Sequence, residues 1–203
     1  MVLSRIVPRG SRASHRALPG GGGVPTSIRE VHPVDCALIG SLAHRALARV
    51  LYAGASGEAA VDRAVRAVLG EAGVPRCDRG TWVAVSGAVA AYLHRSHPGP
   101  GWQLAATEFP LGGAIADFVF LRVGADVPPG PRPAVLVDEL KTGLSHRAVG
   151  SSRTRGQLVQ LIVGGRARWG ERLVGVRLVV PALRITHLIR DTTDILTVTE
   201  TLP

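Results

Sequence analysis

The sequence predicts an α/β domain preceded by a helical subdomain. Three observations carry this: helical periodicity through residues 34–95, a switch to short runs of β-type residues from 102 onward, and one further helical segment at 152–169 between the third and fourth runs. At 203 residues the chain is long enough for a single domain with a real core, and its 46% hydrophobic content excludes a wholly disordered chain.

Residues 34–54 read as the first helix, with Ile39, Ala43, Ala46, Leu47 and Val50 on one face and Arg45 and Arg49 turned away. A second is expected at 57–70, capped by Ser56, striped by Val61, Ala64, Val65 and Val68, and ended by Gly70 or Gly73. A third, about 80–95, is rich in Ala and Val and stops at His97-Pro98-Gly99-Pro100-Gly101. Strands follow at 102–109, 114–122, 134–141 and 173–180, with further strands at 184–189 and 194–199. The helix at 152–169 contains Leu158, Leu161, Ile162 and Val163. The loop at 124–133, with four prolines and two glycines, is expected to be mobile, and no repeat is present.

Residues 1–28 contain Arg5, Arg9, Arg12 and Arg16, no acid, and a run of glycines at 20–23, so an Arg/Gly-rich flexible arm is expected ahead of a single domain at 29–203. A disordered tail explains that composition most simply; a phosphate-touching arm or an organellar transit segment would share it. Within the domain, 29–100 is the helical part and 101–203 the sheet core. The longest uncharged apolar run, 81–93, is well short of the roughly 20 residues of a membrane helix, so no membrane association is expected. Cys36 and Cys77 have no CxxC spacing and imply no disulfide, which makes the reducing cytoplasm the default compartment.

The formal net charge of +9 points to a polyanionic partner: nucleic acid, an acidic protein or an anionic surface. Only eight aromatic residues are present, which disfavours a sheet that binds RNA by stacking on several rings. All but one of the 24 basic residues are arginine, and the exception is Lys141. A lone ammonium in a chain that otherwise uses guanidinium suggests a position where a compact point charge is required.

Lys141 ends the strand Ala-Val-Leu-Val-Asp-Glu-Leu-Lys at 134–141, where the period of two puts Glu139 and Lys141 on one face, about 7 Å apart. Val135 and Val137 continue that face inward, so the charges stand at the end of a buried strand and each needs a partner or a metal. The preceding strand holds Asp117 among six apolar neighbours at 115–121. If the two strands pair, Asp117 and Glu139 can converge on one hard divalent cation beside Lys141. A buried carboxylate–ammonium ion pair is the alternative.

The order of these segments resembles the PD-(D/E)XK nuclease superfamily, and within it the RecB-like exonuclease branch. The resemblance runs from Gly40-Ser-Leu-Ala-His44-Arg-Ala-Leu47 through Ala116-Asp117 and Glu139-Leu140-Lys141-Thr142-Gly143 to Gln157-Leu-Val-Gln-Leu161, covering about 120 residues. It implies a restriction-endonuclease-like core, a central mixed sheet flanked by helices in the order αβββαβ. It further implies His44, Asp117 and Glu139 as ligands of magnesium or manganese, Lys141 positioning the attacking water, and Gln157 bracing the site. His44 lies at the edge of its helix's apolar face, one turn after Gly40, whose missing side chain leaves room. Glu108 could bind a second ion or pair with an arginine. Ala116 replaces a proline common before the first acid, Leu161 stands where an aromatic is frequent, and the Gly112-Gly113 pair is offset. With no cysteine after Cys77, the iron–sulfur cluster of some relatives cannot be built.

On helix 152–169, Arg153, Gln157 and Gln160 share a stripe that could face the site. Arg147, Arg153, Arg155, Arg166, Arg168 and Arg172 cluster against one acid, Glu171, and suit phosphate contacts that hold a strand without reading its bases. The expectation is therefore a metal-dependent DNA nuclease, end- or structure-dependent, acting on single- or double-stranded DNA in repair, recombination, phage functions or defence. No Walker A loop is present, so any unwinding would come from a helicase partner. A non-catalytic nucleic-acid-binding or assembly protein that keeps the fold is the alternative, and a site-specific restriction endonuclease ranks below both.

Overall fold

In a computed structural model, which describes residues 36–75, 78–124, 132–142 and 150–195, three helices come first: α1 (Cys36–Tyr52), α2 (Glu58–Glu71) and α3 (Arg79–Arg95). They are followed by β1 (Trp102–Leu111), β2 (Ala114–Arg122) and β3 (Val135–Leu140), then α4 (Ser152–Trp169), β4 (Leu173–Val180) and β5 (Ile185–Ile189), with 3₁₀ turns flanking β4. All lie in one compact unit, Pro33–Pro203. The proposed arm at 1–28, Cys77 and Arg147 lie outside the described residues, as does most of the loop at 124–133.

The strands form one mixed sheet in the order β1-β2-β3-β4-β5, antiparallel at every step except β3–β4, which is parallel because α4 carries the chain back across the sheet. The molecule is thus α/β, as the pattern of periods predicted, with helices on both faces of the sheet. On β3 the alternation is strict in consequence: Leu136 and Leu140 face α1–α3, while Val135 and Val137 face α4. Leu42, Leu47, Val65, Val85 and Tyr92 fill the first core with Phe118 and Phe120; Leu158, Leu161 and Ile162 fill the second with Val176 and Leu178. Each such side chain stabilises the fold by roughly 1.5–3 kcal/mol relative to exposure.

Three boundaries differ from the sequence reading. Ser56 does not cap α2; the N-cap is Gly57, and the helix ends at Glu71, after which Gly73, at φ +68°, reverses the chain with the Val74 amide bonded to the Leu69 carbonyl. β1 continues past 109 to Leu111, since the hairpin it forms with β2 turns on Gly112 and Gly113. The segment read as a strand at 194–199 begins instead with a helical turn at 192–195, nucleated by Asp191, whose carboxylate accepts from the Thr193 and Asp194 amides; the rest lies outside the described residues.

Close backbone contacts fix where the helices dock. Gly112 and Gly164 meet across the hairpin and α4, and a Cβ on Gly164 would stand 2.5 Å from the Gly112 Cα. On the other face, a Cβ on Gly40 would meet Thr142 Oγ1 at 2.9 Å, so the missing side chain of Gly40 lets α1 close on the end of β3. Between α3 and the sheet, Asp138 is fully buried and paired with Arg177 at 2.5 Å, and it accepts the Tyr92 hydroxyl proton.

Candidate active site

The site forms where β2 and β3 part. Their ladder ends at Phe118↔Asp138, one residue before Asp117. The Leu140 amide, left without a strand partner there, donates to Asp117 Oδ2 at 2.6 Å, so a side chain completes the pairing that the backbone abandons. The other oxygen, Asp117 Oδ1, lies 3.2 Å from His44 Nδ1, which α1 delivers from the opposite direction. Burial works against charge on His44, but the bond and charge of Asp117, the charge of Glu139 and the Leu140 backbone outweigh it and raise its pKa.

Glu139, one residue from the buried Asp138, points to the α4 face and is 1% exposed. Its Oε1 accepts from Lys141 Nζ at 2.5 Å, and Lys141 Nζ donates in turn to Gln157 Oε1 on α4 at 3.0 Å. Its Oε2 is buried and has no hydrogen-bond partner. Burial first, and the neighbouring Asp117 carboxylate second, push the Glu139 pKa up to about 7 against the opposing pull of Lys141 and His44. Two carboxylates are therefore held close enough to repel.

The structure thus brings together His44, Asp117, Glu139, Lys141 and Gln157. Glu108 stands opposite Asp117 on β1, between the pairs Thr107↔Phe118 and Phe109↔Ala116, with its backbone at φ +47°, a left-handed conformation uncommon for a residue with a side chain. Its carboxylate is exposed and shares a cavity of about 310 Å³ with His44 and Asp117. As arranged, no three His, Cys, Asp or Glu side chains among the described residues form a ready metal cluster. The unpartnered Glu139 oxygen, with the Asp117 carboxylate near enough to raise the Glu139 pKa, is nevertheless an acceptor set suited to a hard cation, with His44 available on Asp117 as a nitrogen donor.

The basic cluster divides. Arg153 and Arg155 both precede Gln157 on the first turn of α4, Arg153 exposed one turn before it and Arg155 turned to the other side of the helix. Arg166 lies about 14 Å further along the helix. Its guanidinium is spent on the carbonyls of Gly170, Leu173 and Arg190, which ties α4 to the strands beyond it. Arg168 sits over the Phe109 ring at 4.8 Å, and Arg172 donates to the Pro133 carbonyl. Gln160 lies at the hairpin turn beside Gly112 and Gly113, apart from Lys141, so the stripe of Arg153, Gln157 and Gln160 contributes only Gln157 to the charged cluster.

The sequence reading missed Arg45, Arg49 and Tyr52, which line the same cavity as His44 and Asp117. Their mutual spacing was the available signal: Arg49 and Tyr52 follow Arg45 at i+4 and i+7, one stripe of the helix beside His44. Comparison with protein-family models, curated proteins and solved structures finds no match to this chain. Among the described residues no helix is long and apolar enough to cross a membrane.

Proposed function

We propose that the chain is a divalent-metal-dependent deoxyribonuclease with a restriction-endonuclease-like core, similar to RecB-like exonucleases, that hydrolyses phosphodiester bonds. The observation that carries this reading is the convergence of Asp117 and Glu139 at the parting of β2 and β3, with one buried carboxylate oxygen unpartnered and the only lysine of the chain fixed beside it.

Asp117 and Glu139, with His44, would hold magnesium or manganese, which supplies a lowered pKa to water and offsets phosphate charge. Lys141 is held at two points, Glu139 and Gln157, so its ammonium is aimed rather than free to wander. A preorganised cation placed where negative charge develops costs no reorganisation during the reaction. Gln157 uses its carbonyl oxygen on Lys141 and so acts as a positioning residue. The bond from the Leu140 amide fixes the Asp117 carboxylate against rotation.

The test is cleavage of end-labelled linear single- and double-stranded DNA, and of closed circular DNA, with magnesium, manganese or EDTA. Cleavage that needs the metal and disappears in Asp117→Asn is expected, and the linear-to-circular comparison separates exonuclease from endonuclease. Metal-independent DNA binding by a folded protein that cleaves none of these substrates would instead favour a non-catalytic binding protein.

A further inference from the structure

We propose that the face of α1 from His44 to Tyr52 carries a single strand of nucleic acid to or from the candidate site, with Arg45 and Arg49 holding phosphates and Tyr52 stacking on a base. The inference rests on the reading of the site as one that handles phosphodiesters.

Arg45, Arg49 and Tyr52 line the cavity that also contains His44 and Asp117, so the path is continuous with the site. From His44 to Tyr52 the helix rises about 12 Å, longer than one phosphate repeat of a strand. Both guanidiniums converge on a single carboxylate: Arg49 reaches the two oxygens of Glu71 at 2.6 and 2.8 Å, and Arg45 reaches one at 2.7 Å. Two cations on one anion leave a positive charge over between Arg45, Arg49 and Glu71, while the other acids of the cavity, Glu108 and Asp117, belong to the candidate metal site. The planar fork that fits a carboxylate fits a phosphate equally, so Glu71 occupies donors that a phosphate would take. The three side chains are 42–44% exposed and accessible to an incoming strand.

Tyr52, on the last turn of α1, is 59% exposed. An exposed ring beside paired guanidiniums is the arrangement that holds an unpaired base and its phosphates, whereas in a duplex the base faces are covered by stacking. Glu71 then acts as an internal competitor that the strand displaces.

Fluorescence anisotropy with labelled oligothymidylate, oligouridylate and a duplex, in EDTA so that nothing is cleaved, tests this. Wild type should bind a single strand more tightly than the duplex, and the two oligomers show whether the strand is DNA or RNA. Arg45→Ala/Arg49→Ala should weaken binding at least tenfold and reduce the slope of log K against log salt by about 1.4, two phosphates' worth. Tyr52→Leu should weaken it about 5- to 100-fold and leave the slope alone. Glu71→Gln should tighten binding, while Asp62→Asn, which removes another acid of α2, should not; a purely structural ion pair would lose melting temperature and keep its affinity. Wild-type affinity and salt slope in a folded arginine double variant would overturn the proposal, as would unchanged binding by Tyr52→Leu, an exposed position that serves if the double variant does not fold. Absent cleavage with this binding pattern intact overturns the nuclease reading alone; intact cleavage with unchanged binding overturns the strand path alone.

Discussion

Glu139 combines a buried carboxylate, a bound ammonium and a neighbouring acid, and its titration makes that arrangement measurable. Its pKa in the fold, about 7, lies above the ordinary carboxylate value, so between roughly pH 4.5 and 7 the folded state keeps a proton that the unfolded chain has lost. Stability of the metal-free protein should therefore fall as pH rises through that window, by about 3 kcal/mol at most. His44, whose folded pKa is also raised, contributes stability that is present at low pH and lost as pH rises through its own folded pKa, in the same direction. Thermal melts in EDTA from pH 5 to pH 7.5 check this: the decline should be shallower in Glu139→Gln, and magnesium should restore more stability at pH 7.5 than at pH 5. Lys141 and Glu139 were legible in the sequence because a period of two and a unique lysine single them out. Asp138 was not: the period of two turns it to the face opposite Glu139, but nothing in the sequence shows that Tyr92 and Arg177 wait there as its partners.

At the scale of elements, α4 is seated by the contact of Gly164 with Gly112. Gly164→Ala would drive a methyl into the hairpin backbone, where no flexible side chain can give way, and should cost on the order of 1–3 kcal/mol or more in denaturant unfolding. Gly156→Ala, on the same helix with nothing within 4 Å, should instead stabilise by about 0.5–1 kcal/mol by favouring the helical backbone. A shifted α4 also carries Gln157 away from Lys141, so Gly164→Ala should impair cleavage beyond its loss of stability. The helices were readable from their periods, and every strand through β5 falls close to its predicted place. The boundary at Ser56 was misread because a capping side chain is only one way to begin a helix. The turn after 191 was misread because β-type residues there follow an Asp whose carboxylate gathers successive amides, a tertiary-independent cue that propensity in the following residues hides.

For the whole molecule, the two sheet faces divide the labour: one is buttressed through Asp138, Arg177 and Tyr92, and the other presents Glu139 and Lys141 to α4. Burial pushes the Asp138 carboxyl up while the Arg177 and Tyr92 bonds pull it down. Arg177→Met leaves that carboxylate buried and unpaired and should destabilise the fold by about 3–5 kcal/mol; Tyr92→Phe should cost about 1–3 kcal/mol, both read from chemical denaturation. This buttress holds β3 beside β2, so that Glu139 stays close to the Asp117 carboxylate of β2, a repulsion that a cation would relieve. The order of elements along the chain could be anticipated from the periods alone. Which arginines lie near the site could not, because the charge count is the same whether a guanidinium faces a cavity or, like that of Arg166, caps three carbonyls.

The most direct measurement is the rate of phosphodiester hydrolysis by wild type and Lys141→Ala, side by side, on linear DNA with magnesium and with EDTA. The account predicts cleavage only with the metal and at least a 100-fold loss in the folded variant. Equal cleavage by Lys141→Ala, or cleavage by wild type in EDTA, would contradict it.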